Sequence, residues 1–188
     1  MQPESYIHRG MAGSGRDERA WVRGAQAGSV SDLEALFTAY WPRAYRAAYL
    51  VVHDAAAAED IAQEAFLAAL RRLDRFDRRR PFGPWLHRIV VNRAIDWARA
   101  RKLRGEVPDE AAAEPVAMHS NPGPTDAEAL AGALATLSPE HRAVIVLRHL
   151  LDYTPGEIAD LLELPRGTVN SRLRRGLDDL KARLEGRS

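Results

Sequence analysis

Apolar residues recur along this chain at helical spacing, in blocks separated by capping and chain-breaking residues, and no stretch alternates in the manner of a half-buried strand. The clearest block runs from Tyr153 to Leu184. Thr154-Pro155-Gly156-Glu157 predicts a capped helix start, with Ile158, Leu161 and Leu162 on its apolar face. Leu164-Pro165 then breaks the helix. Beyond the break, Val169, Leu173, Leu177, Leu180 and Leu184 form one helical stripe, while Arg166, Asn170, Ser171, Arg174 and Arg175 fall outside it. A short capped helix, a turn and a second helix with a donor-rich outer face make a helix-turn-helix pattern.

The same periodicity organises the rest. A helix is predicted from Asp17 to Ala27, stopped at Gly28. A cap at Ser31-Asp32-Leu33-Glu34 opens a long helix whose faces carry Leu33, Leu36, Phe37, Tyr40, Trp41, Tyr45, Ala48 and Tyr49, with Pro42 within it. The next helix extends from about Ala55 to Leu73 and buries Ile61, Ala65, Leu67, Ala68 and Leu70. Asp74 to Pro84 reads as a loop. A helix follows in which Leu86, Ile89, Val90, Ala94 and Trp97 face a core and Arg88, Asn92, Asp96 and Arg99 lie opposite. Gly105 to Thr125, with four prolines and no periodicity, reads as a flexible linker. A helix from about Asp126 and another capped by Ser138-Pro139-Glu140 complete the pattern. The expectation is an all-α protein: a tail over 1–16, a helical domain over 17–104, an acidic Pro-rich linker over 105–125 and a helix-turn-helix domain over 126–188.

Charge changes the picture more than composition does. The 188 residues carry a net charge of only +1. Yet Arg71 to Arg104 holds twelve Lys/Arg against three Asp, Gly105 to Leu130 holds six acids and no Lys or Arg, and Arg166 to Ser188 holds seven basic residues against three acids. Two basic blocks around an acidic one suit a chain that touches nucleic acid at two places. In the first block Phe76, Phe82 and Trp85 are interleaved with Arg75, Arg78, Arg79, Arg80 and Arg88, a mix that offers stacking surfaces and phosphate contacts to unstacked bases, while Asn92 can read a base edge. Trp85 and Phe82 serve equally well as core aromatics. On the helix-turn-helix, Arg166, Asn170, Ser171, Arg174 and Arg175 can enter a major groove, although Arg174 and Arg175 could also pair with Asp178 and Asp179. Asp54, Glu59, Asp60, Gln63 and Glu64 crowd one helix start. The helix dipole accounts for Asp54 and Glu59, whereas Asp60, Gln63 and Glu64 share a face suited to a basic partner.

Catalytic chemistry finds no support. There is no Cys, which removes disulfides, thiolate metal sites and thiol nucleophiles. The six His (His8, His53, His87, His119, His141 and His149) show no ligand spacing, and neither HExxH, GxGxxG nor a P-loop occurs. No enzyme activity, cofactor, metal or small-molecule substrate is expected. No apolar run reaches membrane-spanning length and the N-terminus lacks a signal-peptide core, so a cytoplasmic location is expected.

Three stretches carry a resemblance: EDIAQEAFLAAL at Glu59–Leu70, FDRRRPFGPWLHRIVVNRAIDWAR at Phe76–Arg99, and LATLSPEHRAVIVLRHLLDYTPGEIADLLELPRGTVNSRLRRGL at Leu134–Leu177. In this order and separation they resemble the extracytoplasmic-function (ECF, group IV) sigma factors of bacterial RNA polymerase. The resemblance covers nearly everything after about Asp17. It implies two helical domains without a large N-terminal autoinhibitory domain, binding to the clamp region of core polymerase, and promoter-specific initiation with help in melting. Asp60, Gln63 and Glu64, with Asp54 and Glu59 beside them, would face polymerase. Phe76 and the loop after it (Arg78, Arg79, Arg80) would hold a flipped base of the −10 element, with Phe82, Trp85, Arg88, Asn92 and Arg99 nearby. Arg166, Thr168, Asn170, Ser171, Arg174 and Arg175 would serve the −35 element. Asn170 stands where the family often has Lys or Arg. The acidic linker, including Glu106, Asp109, Glu110 and Glu114, would occupy a basic polymerase channel. An anti-sigma factor, in some cases membrane-bound, is an implied partner. A stand-alone helix-turn-helix regulator is the alternative, but it needs neither the acidic face nor the first basic block. An RNA-binding or scaffold role has no motif of its own.

Overall fold

The computed structural model describes residues 15–105 and 124–185. The tail expected over 1–16, apart from its last two residues, and the expected linker apart from its ends lie outside the described residues. Every regular element among the described residues is helical: α1 (Gly15–Gln26), α2 (Val30–Val52), α3 (Ala55–Leu70), a 3-10 turn (Leu73–Arg75), α4 (Phe82–Leu103), α5 (Pro124–Ala135), α6 (Pro139–His149), α7 (Pro155–Leu162) and α8 (Arg166–Glu185).

The caps explain most boundaries. Ser138 Oγ accepts from His141 N, and Thr154 with Glu157 forms a complete capping box. Glu163 ends α7 in the left-handed region, with φ at 54°, just before Leu164-Pro165. The cap of α2 is Ser29 rather than Ser31: its Oγ accepts from Asp32 N at 3.3 Å. Gly28, at φ +88°, turns the chain so sharply that the helix restarts two residues earlier than the Ser31 motif predicts. α3 stops at Leu70, and Leu73 belongs to the 3-10 turn.

The N-terminal half packs α1, α3 and α4 around α2, with Leu36, Tyr40, Ala44, Ala47, Ala48 and Val51 fully buried along it. Small residues on α3 (Ala58, Ala62, Ala65, Ala69) let it approach closely. Its buried stripe runs through Ile61, Ala65, Phe66 and Ala69. Leu67, expected inside, is 50% exposed because it lies on the opposite face. In the C-terminal half the stripe of α8 is Val169, Leu173, Gly176 and Leu180, while Leu177 and Leu184 stand partly in solvent. Gly176 permits the α6–α8 crossing, since a Cβ there would lie 2.9 Å from Ile145 Cδ1.

α6 is buried from Arg142 to Leu147 without interruption. One face of a helix cannot achieve this. α6 packs on α7 and α8 of its own half and on α2 and α4 of the other. The two halves also meet where His87 Nδ1 and Tyr153 Oη share a 2.8 Å hydrogen bond. Arg142 and His53 lie near this junction. Burial pushes the Arg142 guanidinium down to about 10, and burial together with the Arg142 charge pushes the His53 imidazole down to about 4.

Candidate nucleic-acid interface

The first basic block folds into the 3-10 turn, an exposed loop and the start of α4. Asp77 organises the loop: its Oδ1 accepts from Arg79 N at 3.0 Å and its carbonyl from Arg80 N at 2.9 Å. Arg78, Arg79 and Arg80 all project into solvent. The aromatics behind them behave differently from the expectation of open stacking platforms. Phe82 is 1% exposed and Phe76 9%. Phe76 stacks on Trp85 at 4.5 Å between centroids, and Phe82 meets both rings edge-on. Phe82 is therefore core, a correction to its assignment as a DNA contact. Phe76 forms the wall behind the loop, and half-buried Trp85 is the outermost ring of the stack.

Two residues of α1 that no local pattern singled out hold this loop. Gln26 Nε2 donates to Leu73 O and to Phe76 O, both at 2.9 Å. Glu18 Oε1 accepts from Phe82 N at 2.9 Å, and its other oxygen accepts from Tyr40 Oη. α4 has no side-chain cap of its own at Pro81, so Glu18 supplies one from 64 residues away. Burial, reinforced by Glu18, raises the Tyr40 phenol well above its usual value.

Further along α4, Arg88 and Asn92 are half-buried and Arg99 exposed. The C-terminal half meets this face. Arg88 pairs with Glu163 at 2.5 Å and Arg99 with Glu140 at 2.7 Å, the latter closer than the intrahelical Asp96–Arg99 pair at 3.8 Å. Partial burial works to raise the Glu140 carboxyl, but the hydrogen bond from Arg99, a backbone N–H and the charges of Arg99 and Arg172 hold it below the usual carboxylate range.

The acidic residues of α3 separate into two groups. Asp54 Oδ1 caps the helix by accepting from Ala57 N at 2.9 Å, and its Oδ2 pairs with Arg101 at 3.1 Å. Both oxygens thus serve the fold in this arrangement. Asp60, Gln63 and Glu64 share an exposed face, with Glu59 beside them accepting from Gln63 at 3.3 Å. Asp60 and Glu64, with Ala57, Ile61, Arg93, Asp96 and Trp97, line an open cleft of about 420 Å³ between α3 and α4. Glu64 is paired with Arg93 there.

On α8, Arg166, Asn170, Arg174 and Arg175 are exposed, and Thr168 and Ser171 half-buried. Ser171 Oγ donates to Thr168 O at 2.9 Å, so its proton is taken by its own helix. The exposed set nonetheless forms a donor row along α8, with Arg166, Asn170 and Arg174 four residues apart and Arg175 beside the last.

One cationic loop-and-helix face, a separate helix-turn-helix row and an acidic cleft, all on a helical frame, are features of the class of helical DNA-binding proteins. Sequence comparison makes the class specific. Residues 36–104 match the Sigma-70 region 2 family and residues 127–180 match Sigma-70, region 4. The ECF RNA polymerase sigma factor SigW of Bacillus subtilis is 35% identical over 161 residues, covering 77% of this chain and 84% of SigW. Among solved structures, CnrH in complex with the cytosolic domain of CnrY matches with a TM-score of 0.70 and 26% identity, over 92% of this chain and 99% of CnrH. RpoE from Bartonella quintana, solved with the anti-sigma factor NepR, matches with a TM-score of 0.66 and 26% identity over 83% and 98%. The chain belongs to the ECF sigma factors of the sigma-70 family and acts in transcription initiation with core RNA polymerase at promoter DNA. No helix among the described residues is long and apolar enough to cross a membrane.

Proposed function

We propose that the chain divides its work among three surfaces. The face of Asp60, Gln63 and Glu64, with the adjoining cleft, docks on core polymerase. The loop of Arg78, Arg79 and Arg80, backed by Phe76 and Trp85, holds an unstacked −10 base, with Arg88, Asn92 and Arg99 along the same strand; trapping that base favours the melted duplex. Arg166, Asn170, Arg174 and Arg175 engage the −35 groove, with Thr168 and Ser171 at its edge. The observation that carries this reading is the separation of surfaces. The acidic cleft repels DNA and suits a cationic partner, whereas both donor-rich faces suit phosphate and base edges. No step requires catalysis by the chain or a cofactor.

Arg88 and Arg99 are held by Glu163 and Glu140 in the closed arrangement, so −10 reading requires the halves to part. The likeness to sigma factors solved with the cytosolic domain of CnrY and with NepR supports a protein partner of the anti-sigma class that holds the chain away from polymerase.

Charge reversal at Asp60 and Glu64 to Lys tests the docking surface. The double variant should weaken capture of core polymerase at least tenfold, and run-off transcription should recover when the variant is supplied in excess. Full polymerase affinity combined with lost promoter preference would refute the assignment.

A further inference from the structure

The arginine loop between Phe76 and Phe82 is short and exposed, and it carries three like charges in succession. Left alone, such a segment spreads over many conformations. Here each end is anchored by a different residue of α1. Gln26 reaches the carbonyl of Phe76 and that of Leu73 one turn earlier. Two carbonyls can be met only by the two hydrogens of the amide NH2, so chemistry fixes the orientation of the Gln26 side chain. Glu18 holds the other end through Phe82 N, at the mouth of α4, where a carboxylate also suits the helix dipole. Its second oxygen is engaged by the Tyr40 hydroxyl, and Tyr40 lies against Gly83 so closely that a Cβ there would sit 2.9 Å from the ring. The contacts span 47, 50 and 64 residues of sequence, so they order the loop relative to a distant element rather than locally.

We propose that α1 is a brace for −10 selection, with Gln26 and Glu18 acting as positioning residues that fix both ends of the arginine loop and hence the site where a base is held. This rests on the reading of that loop as the −10 base holder. α1 precedes the stretch matched by the region 2 family, which begins at residue 36. Neither residue touches DNA in this account. Each acts through the backbone: Gln26 keeps the Phe76 carbonyl, and with it the Phe76–Trp85 wall, at a set distance from the arginines, while Glu18 keeps Phe82 and the start of α4 from fraying.

The test uses the full chain assembled with core polymerase and a pool of fork-junction promoter DNA, randomised either over the −10 segment or over the −35 segment. Gln26→Met keeps the side-chain length and removes both donors. It should lower base preference over the −10 segment by about threefold to tenfold, the size expected for losing one or two hydrogen bonds. Preference over the −35 segment and affinity for polymerase should stay within twofold of the parent. Gln26→Lys, which restores donors at similar reach, should recover the −10 preference. Should Gln26→Met fold poorly, Gln26→Asn, too short to reach both carbonyls, gives the same selective loss. Unchanged −10 preference in Gln26→Met, or a parallel fall in −10 preference, −35 preference and polymerase affinity, would overturn the proposal. The double variant Arg79→Ala/Arg80→Ala separates the two layers. If it leaves −10 preference intact, the loop is not the base holder. If it abolishes the preference and Gln26→Met does not, the brace alone is wrong.

Discussion

Asp54 shows how a single residue changes meaning once its partners are visible. Its position before an apolar helix and among other acids suits a docking surface, yet one oxygen caps α3 and the other pairs with Arg101. Removing it should cost stability, not partner affinity. Asp54→Ala is expected to lose about 1–2 kcal/mol, the usual size of a lost N-cap, with polymerase affinity within twofold of the parent. Denaturant unfolding beside a polymerase titration checks both halves of that statement, and a tenfold affinity loss at unchanged stability would return Asp54 to the docking face. Caps of this kind were partly legible. The Thr154 and Ser138 motifs contain their acceptor and the helix start within four residues, so local chemistry decides them. At Ser29 and Ser31 two hydroxyls compete, and the turn imposed by Gly28 decides between them.

At the scale of elements, periodicity located the helices because each buries one stripe, and it failed where burial departs from one stripe. Leu67, Leu177 and Leu184 are as apolar as their buried neighbours, yet Leu67 lies on the face of α3 opposite its buried stripe and Leu177 and Leu184 stand partly in solvent. The middle of α6 is enclosed on all sides from Arg142 to Leu147, and its apolar part, Ala143–Leu147, is a continuous run with no face to read. α1 gave no functional signal, since its role depends on carbonyls and an N–H that lie 47 to 64 residues away. The α2–α4 crossing makes a testable case of such non-local fit. Gly83→Ala gains roughly 1 kcal/mol in helix propensity, but the new methyl collides with Tyr40, whose ring is 1% exposed and braced edge-on against Phe82 at 5.2 Å. Overpacking of this type costs about 1–3 kcal/mol, so a net fall in thermal midpoint is expected. A rise would show that the Tyr40 ring yields.

Over the whole molecule, the two cationic surfaces and the acidic face of α3 were legible because charge segregates along the sequence. The closed packing of the two halves was not, since Glu140 and Glu163 look like ordinary helix-start and turn residues until Arg99 and Arg88 meet them. Those exposed pairs each contribute only about 0–1 kcal/mol, and the same junction encloses the Arg142 guanidinium, whose Nε has no hydrogen-bond partner. Closure is thus held mainly by the apolar faces of α6 and opposed by a buried charge, which leaves it open to displacement by a partner that binds the parted form. Once polymerase holds both halves on one DNA, the second contact forms at high effective concentration, and neither reader needs high affinity alone. The division into two readers is the central claim. Its most direct test is transcription by polymerase reconstituted with the full chain, on a template pool randomised upstream of the start site, with sequencing of the transcribed templates. Two preferred blocks at a fixed separation are expected, with Asn170→Ala blurring only the upstream block and Arg79→Ala/Arg80→Ala only the downstream one. A single block, or two blocks that blur together in either variant, would contradict the account.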